Sequence, residues 1–299
     1  MSQQSLAGVV PATQLREAIH RDGFVVVRQI VSGARLITLR TACRETVQMA
    51  RAGRWPFLRT LPKPFPPWPN DPALGMWGVQ HLLHPLMPHR TVFAESYCDD
   101  VIAHVVRALL EVDSDAELTM ELYNLLIRPD RDFALPWHRD DIRFDASEAE
   151  EAAQLADHAP HTQWNLALYE DRSLQVVPDT HRRPRTAAER SADPSGPMPG
   201  QRAVHLQPGD AVFYNNNILH RGVYDSTVER MTLHGSMGRC GIACAARARN
   251  VLQHGVGSWI RDASFEDITS PHVRQRARGL QQQLVAMGER YGNVGYSHV

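Results

Sequence analysis

The 299-residue chain is poor in cysteine, and its four, Cys43, Cys98, Cys240 and Cys244, form no C-x-x-C pair and no framework spacing. A disulfide scaffold is therefore excluded, and buried free thiols are the expectation. Cys240 and Cys244 stand one helical turn apart, a spacing zinc can use, but no partner pair accompanies them. No apolar run approaches the roughly 18 residues of a membrane span, and the opening Met1-Ser2-Gln3-Gln4-Ser5 lacks a signal-peptide pattern. Charge of one sign is also missing: the formal net charge is −1 and the pI is near 7.0. That argues against a nucleic-acid footprint or attraction to an anionic membrane, and leaves a small molecule as the expected partner of a cytoplasmic protein. Repeats and low-complexity tails are absent from the sequence. What remains is 43% hydrophobic and 22% charged, enough for one sizeable core.

Periodicity organises the chain. Residues 12–22 and 32–52 carry apolar residues at helical spacing and flank a strand from Phe24 to Val27, with Ser32 available as a cap for the second helix. The stretch from Pro56 to Pro72, which includes Pro62, Pro64, Pro66, Pro67 and Pro69, is expected to hold no regular structure. Asp99 to Leu110 reads as a helix. Leu118 to Ile127 begins a strand-rich half whose short strands, separated by Pro, Gly and Asp turns, continue to about Arg249 and fit a double-stranded β-helix. A last helix spans about Pro271 to Tyr291. The fold expected is thus α+β: one domain over 1–299, with a mainly helical N-terminal elaboration (1–117), a cupin-like jelly-roll core (118–249) and a C-terminal helical segment (250–299). Two insertions interrupt the core. Asp145 to Asp157 is acidic and alanine-rich, a short surface helix. Arg182 to Gln201 is a basic loop, either solvated surface or a lid whose Arg182 and Arg183 touch an anionic group of the substrate.

Chemistry concentrates at Trp137-His138-Arg139-Asp140. Side chains alternate along a strand, so His138 and Asp140 share a face and offer two ligands from one short stretch. A third comes from the segment beginning Gly209-Asp210, which reads as a turn, a strand, and then His220 just past it. Two imidazoles and one carboxylate are the ligand set of a non-haem iron(II) site, with three positions left open. Downstream, Arg230-Met231-Thr232-Leu233-His234-Gly235-Ser236 has even positions that line one strand face. An arginine fork binds a carboxylate bidentately and Thr232 adds a hydroxyl, a pair suited to the far carboxylate of a metal-chelated dicarboxylate.

These residues resemble the phytanoyl-CoA dioxygenase-like family of iron(II)- and 2-oxoglutarate-dependent oxygenases. The resemblance begins at Leu15 to Val27, similar to the family's opening helix and "DGF" strand, and continues through Trp137-His138-Arg139-Asp140. Leu174-Gln175-Val176-Val177-Pro178-Asp179-Thr180-His181 is similar to its "L-x-x-x-P-G-S-H" stretch, and Gln207-Pro208-Gly209-Asp210 to its turn before the distal histidine. Asp179 and Arg172 stand where the family has glycine, and Asp tolerates the left-handed backbone such a glycine implies. The resemblance implies that His138, Asp140 and His220 bind Fe(II), that Arg230 and Thr232 anchor 2-oxoglutarate, and that O2 is the oxidant. It further implies hydroxylation of an unactivated C–H bond of a small organic molecule, with succinate and CO2 as co-products. Because Asp140 supplies the carboxylate, oxygenation is expected rather than halogenation.

Several residues keep two readings. Asn124, Asn165 and Gln175 are candidates to hydrogen-bond oxoglutarate and are equally satisfied core amides. Trp137 is a substrate wall or plain core. Asp141 reaches substrate only if the strand ends before it. A small polar molecule or natural product of secondary metabolism is the expected substrate, since no strongly basic face suits CoA. The competing reading is a jelly-roll metalloprotein without oxoglutarate, a cupin-like isomerase or a zinc site, in which Arg230 is structural.

Overall fold

The computed structural model describes residues 10–156, 161–241 and 244–295. Helix α1 (Ala12–Asp22) stops at Gly23, whose φ of 80° lets its N–H bond the Ile19 carbonyl, and strand β1 (Phe24–Val27) leaves directly. A Cβ on Gly23 would lie 2.5 Å from His181 Nδ1, so glycine here is what allows the two distant landmarks to meet. Asp179, on the same contact, holds the left-handed backbone expected of it at φ 69° and donates its N–H to the Asp22 carbonyl.

After β1 come helix α2 (Gly33–Arg51), strands β2 (Leu58–Thr60) and β3 (Met76–Val79), and helices α3 (Arg90–Tyr97) and α4 (Asp100–Leu110). The Asp99 carboxylate caps α4 by accepting from Val101 N and Ile102 N. The core half contains strands β4 (Leu118–Ile127), β5 (Phe133–Ala134), β6 (His161–Ala167), β7 (Leu174–Val177), β8 (Arg202–Ala203), β9 (Ala211–Asn215), β10 (Leu219–Tyr224) and β11 (Met231–Arg239). Helices α5 (Glu148–Leu155) and α6 (Ala187–Ser191) sit in the two insertions, both opened by capping boxes. The chain closes with α7 (Ala245–Asn250), a π-helical turn (Val251–Gly255), α8 (Trp259–Asp262) and α9 (Pro271–Gly288).

A seven-stranded sheet of order β1-β9-β6-β11-β4-β3-β2 faces a four-stranded one of order β5-β10-β7-β8, with every pair antiparallel. This is the jelly roll with flanking helices, α+β as the sequence predicts. The mainly helical N-terminal elaboration carries the expected strand β1 at one edge of the large sheet and, unanticipated from the sequence, β2–β3 at the other. Likewise the proline-rich stretch is not wholly irregular, since it contains β2.

Alternation along β4 divides its side chains between two environments. Tyr123, Leu125 and Ile127 join the main core together with Leu280 and Leu284 of α9, while Leu126 lines the interior of the roll. Each fully buried leucine contributes about 1.5–3 kcal/mol, so α9 fixes the outer face of the sheet. A register shift between Gly235 and Met237 marks a bulge against β4, and there Glu121 and Leu122 both turn toward the interior. The turn before β9 is equally determined. Gly209 has φ 92°, its Cβ would sit 1.9 Å from the Val31 carbonyl oxygen, and Asp210 accepts from Gln29 N, Gln207 N and Arg28 Nη1. Among the described residues no helix is long and apolar enough to cross a membrane. Cys43 and Cys98 are buried free thiols, whereas Cys240 and Cys244 are only half-buried, since they flank the outer end of β11.

Candidate active site

His138 and His220 pair directly across the roll. They form an isolated antiparallel bridge, each donating its backbone N–H to the other's carbonyl at 3.0 Å, and their rings lie 4.4 Å apart. His220 is therefore inside β10 rather than past a strand, and His138 rests on one bridge rather than a long strand. Asp140 Oδ1 stands 3.7 Å from His138 Nε2 and 3.8 Å from His220 Nε2. Both Nδ1 atoms contact a carbonyl two residues earlier, Pro136 and Ile218, at 2.8 Å. A carbonyl only accepts, so each Nδ1 carries a proton, and Nε2 is the ring nitrogen left on the Asp140 side to ligate a metal.

The donor set fits an ion. Two atoms bound to one metal at about 2.0–2.2 Å are no more than about 4.4 Å apart, a limit both Nε2–Oδ1 spacings meet, and all three residues offer atoms within 4.8 Å of one another. Burial works to raise the Asp140 pKa, but the two histidines outweigh it and hold the carboxyl below its usual range. Gln163, on β6, donates through Nε2 to the other Asp140 oxygen and so orients it. Phe65 lies edge-on to the His138 ring at 5.0 Å. Neither Gln163 nor Phe65 is among the residues the sequence singles out. Gln163 is an inward position on a strand that could have been scanned; Phe65 sits in a proline-rich stretch without periodicity.

A cavity of about 190 Å³ runs from the triad toward Arg230. Arg230 is buried; its Nε donates to Asp171 Oδ2 at 3.1 Å, and its Nη1 has no hydrogen-bond partner. Thr232 differs from expectation. Its hydroxyl donates to the same Asp171 oxygen at 2.6 Å, which makes it a support for the ion pair rather than a donor to the cavity. Asn165 lines the cavity beside His234, whose Nδ1 bonds the Asn165 carbonyl at 2.9 Å. Burial first, and then Arg59, lowers the His234 pKa to about 3, so that ring is neutral. Asn124 stands behind this pair, its Oδ1 accepting from His81 N and its Nδ2 buried without a partner.

Four other sequence candidates lie away from the cavity, and strand alternation is the reason for two of them. Trp137 flanks His138 and so faces the opposite way, into a cluster with Val177, Met198 and Leu219, where its indole donates to Gly196 O at 2.9 Å. Gln175 neighbours inward Leu174 and Val176 and turns outward, its Oε1 accepting from Arg221 Nε at 3.0 Å. Arg182 pairs with Asp179, and Arg183 with Glu189 at 2.8 Å, both outside the cavity. The basic loop is not the wall over the triad. That wall comes from the proline-rich stretch, through Pro64, Phe65 and Pro66, and from the C-terminal segment, through Arg247, Asn250 and Val251.

Asp141 does reach the cavity, because past the single bridge at His138 the chain is no longer strand. Its carboxylate takes a hydrogen bond from Asn216 Nδ2 and lies 3.5 Å from both His161 Nε2 and Arg247 Nη1. Burial opposes ionisation, yet His161 and Arg247 pull its pKa far down. Arg247 in turn forks onto Glu121 at 3.1 and 2.8 Å. Sequence reading did not anticipate this buried network, since its members come from β4, β6, α7 and a loop.

The family model for phytanoyl-CoA dioxygenase matches residues 19–227. The chain belongs to that family. With it come the enzyme class expected from the sequence, a non-haem iron(II)- and 2-oxoglutarate-dependent oxygenase, and its cofactors Fe(II), 2-oxoglutarate and O2. No curated protein matches the chain by sequence. Among solved structures, EctD from S. alaskensis with 2-oxoglutarate and 5-hydroxyectoine is 20% identical with a TM-score of 0.55, over 80% of this chain and 79% of that one. AviO1 from Streptomyces viridochromogenes Tue57 is 16% identical with a TM-score of 0.54, over 78% and 96%. HygX from Streptomyces hygroscopicus, with nickel, 2-oxoglutarate and hygromycin B bound, is 17% identical with a TM-score of 0.54, over 77% and 88%. At these identities the family member and its neighbours share a fold.

Proposed function

We propose that this oxygenase hydroxylates an unactivated C–H bond of a small organic molecule in the cytoplasm, converting 2-oxoglutarate and O2 to succinate and CO2 as it does so. The observation that carries the reading is one cavity with a two-histidine, one-carboxylate triad and, at its far end, a buried guanidinium nitrogen without an acceptor. Iron bound with 2-oxoglutarate supplies the oxidising chemistry, and the chain supplies position.

His138, Asp140 and His220 would hold the metal on one side and leave the other side to co-substrate and oxygen. The two backbone carbonyls on Nδ1 keep both imidazoles aimed, and Gln163 keeps Asp140 turned so that Oδ1 faces the histidines. Arg230, held by Asp171, donates Nη1 toward the distal carboxylate of 2-oxoglutarate, with Asn165 and neutral His234 along the way. Phe65 and its neighbouring prolines exclude water above His138, and Asp141, Arg247 and Asn250 offer polar contacts to substrate. The neighbours EctD and HygX were solved with 5-hydroxyectoine and with hygromycin B, which supports a small polar molecule or natural product as substrate.

The Arg230–Asp171 ion pair also suits the alternative in which Arg230 is structural and no oxoglutarate is used; the unpartnered Nη1 favours the oxygenase. Oxygen-dependent succinate formation from 2-oxoglutarate, lost in His138→Ala, is the expected result, with product mass raised by one oxygen. Its absence with Fe(II), ascorbate and a panel of polar natural products would sink the reading.

A further inference from the structure

Among the described residues that line the cavity, the carboxylates are Asp140, which faces the histidines, and Asp141. Behind Asp141, Glu121 adds a second negative charge, and Arg247 is the guanidinium that meets both. Arg247 is committed to Glu121. Its Nε and Nη2 fork onto that carboxylate at 3.1 and 2.8 Å, while its Nη1 stops 3.5 Å from Asp141 Oδ1, well outside the about 2.7–2.9 Å of a charge-assisted hydrogen bond. The other lining arginines are engaged elsewhere, Arg230 by Asp171 and Arg59 over the rings of Trp68 and Trp77 at 5.1 and 5.3 Å.

His161 does not supply the missing charge. The plane of a guanidinium fixes its hydrogens, and Arg247 Nη2 directs one at His161 Nδ1 across 3.4 Å, so Nδ1 holds a lone pair and the single ring proton sits on Nε2. That N–H stands 3.5 Å from Asp141 Oδ2 and makes no hydrogen bond, although His161 is 1% exposed. Asn216 Nδ2 gives Asp141 a close hydrogen bond, yet its own Oδ1 is buried without a donor. An ionised carboxylate accepts at about four lone-pair sites, so much of the Asp141 capacity is open. Two carboxylates, one guanidinium and a neutral imidazole leave one negative charge. Asp141, whose side chain is 33% exposed against 1% for Glu121, presents it to the cavity. A charge enclosed this far is costly until a cation meets it.

We propose that Asp141 binds a positively charged nitrogen of the substrate, which makes the substrate an amine. This rests on the cavity being the oxygenase site. Asp141 directly follows the ligand Asp140, and consecutive Cα atoms are about 3.8 Å apart, so the carbons brought to the metal are those a few bonds from that nitrogen. Arg247 and His161 position the carboxylate.

The test uses manganese(II)-loaded protein saturated with 2-oxoglutarate and three probes of one shape: cyclopentylamine, cyclopentanol and cyclopentanecarboxylate. Bound manganese speeds the relaxation of ring protons that dock beside it, and titration gives each Kd. Wild type should bind the amine about tenfold more tightly than the alcohol, and the carboxylate least. Asp141→Asn should weaken the amine about tenfold, the loss of one hydrogen bond between charged groups, and leave the alcohol unchanged, whereas Asp141→Glu should keep the amine first. A wild type that binds amine and alcohol alike, prefers the carboxylate, or relaxes none of the probes overturns the cation site, and calorimetric binding of 2-oxoglutarate to the same protein leaves the oxygenase reading standing. An Asp141→Asn variant that keeps the amine preference, or loses amine and alcohol equally, also overturns it. The wild-type ranking decides the matter even where a variant does not fold. Failure of 2-oxoglutarate itself to bind the manganese protein would instead overturn the oxygenase reading, and the amine assignment with it.

Discussion

Replacing Asp171 by asparagine removes one charge and almost no volume, and the structure makes it costly. The carboxylate accepts four hydrogen bonds, from Ser173 N at 2.8 Å, Ser173 Oγ at 2.5 Å, Thr232 Oγ1 at 2.6 Å and Arg230 Nε at 3.1 Å. All four partners donate. An amide NH2 placed on either side must therefore oppose a backbone or guanidinium N–H, and Arg230, whose side chain is 8% exposed, is left as an uncompensated buried charge. Breaking a buried pair in this way costs about 3–5 kcal/mol, which lowers Tm by roughly 5–8 °C in a protein of this size.

The pH dependence has a definite sign. Burial alone would raise the Asp171 pKa, but Arg230, Ser173 and Thr232 together hold it below the ordinary value. Its stabilisation is then complete above the unfolded pKa of about 3.9 and is lost as pH falls through the lower folded value. Thermal melts of wild type and Asp171→Asn should differ by a constant interval from pH 7 to 5, and the interval should shrink below about pH 4. A variant melting within about 2 °C of wild type at pH 7 would refute this account of the Arg230 support.

Three further outcomes are expected. Gly209→Ala drives a Cβ to 1.9 Å from the Val31 carbonyl oxygen at a φ of 92°, so soluble yield and far-ultraviolet circular dichroism should show no folded protein. Trp137→Ala should cost about 3–5 kcal/mol in denaturant melts by emptying its cluster, while metal and 2-oxoglutarate binding in the folded fraction stay unchanged. Glu151, 1% exposed, ties α5 to the basic loop by accepting from Arg185 N, Arg185 Nε and Arg190 Nη2. Glu151→Ala should therefore speed proteolytic cleavage of the two insertions about 100-fold, with the jelly-roll fragments surviving.

Local signals made part of this molecule readable. Helix α1, strand β1, helix α4 and strand β4 follow from caps, glycine stops and apolar spacing, and they run as the sequence predicts. The His138–Asp140 spacing and the P-G-D turn before β9 likewise encode their geometry within a few residues. What was illegible depends on partners far along the chain. The Thr232 hydroxyl turns to Asp171, 61 positions away in sequence, and only the folded sheet brings that acceptor near. Trp137 could have been assigned correctly, since alternation from His138 already sends it to the outer face. The proline-rich stretch carries no periodicity, so nothing local announces that Phe65 will lie against His138. The basic loop attracted attention by composition, yet its arginines are consumed by Asp179, Glu151 and Glu189. The π-helical turn that brings Val251 and Gly255 to the cavity has no sequence signature either.

The most direct test of the account is anaerobic titration of the protein with Fe(II) and 2-oxoglutarate, followed in the visible region and by bound-iron stoichiometry. The account predicts a weak charge-transfer band that saturates at one equivalent of iron, and its loss, with loss of iron, in a folded His138→Ala variant. A wild-type protein that takes up iron without the band, or shows it undiminished in His138→Ala, would contradict the assignment of His138, Asp140 and His220 as the iron site for 2-oxoglutarate chemistry.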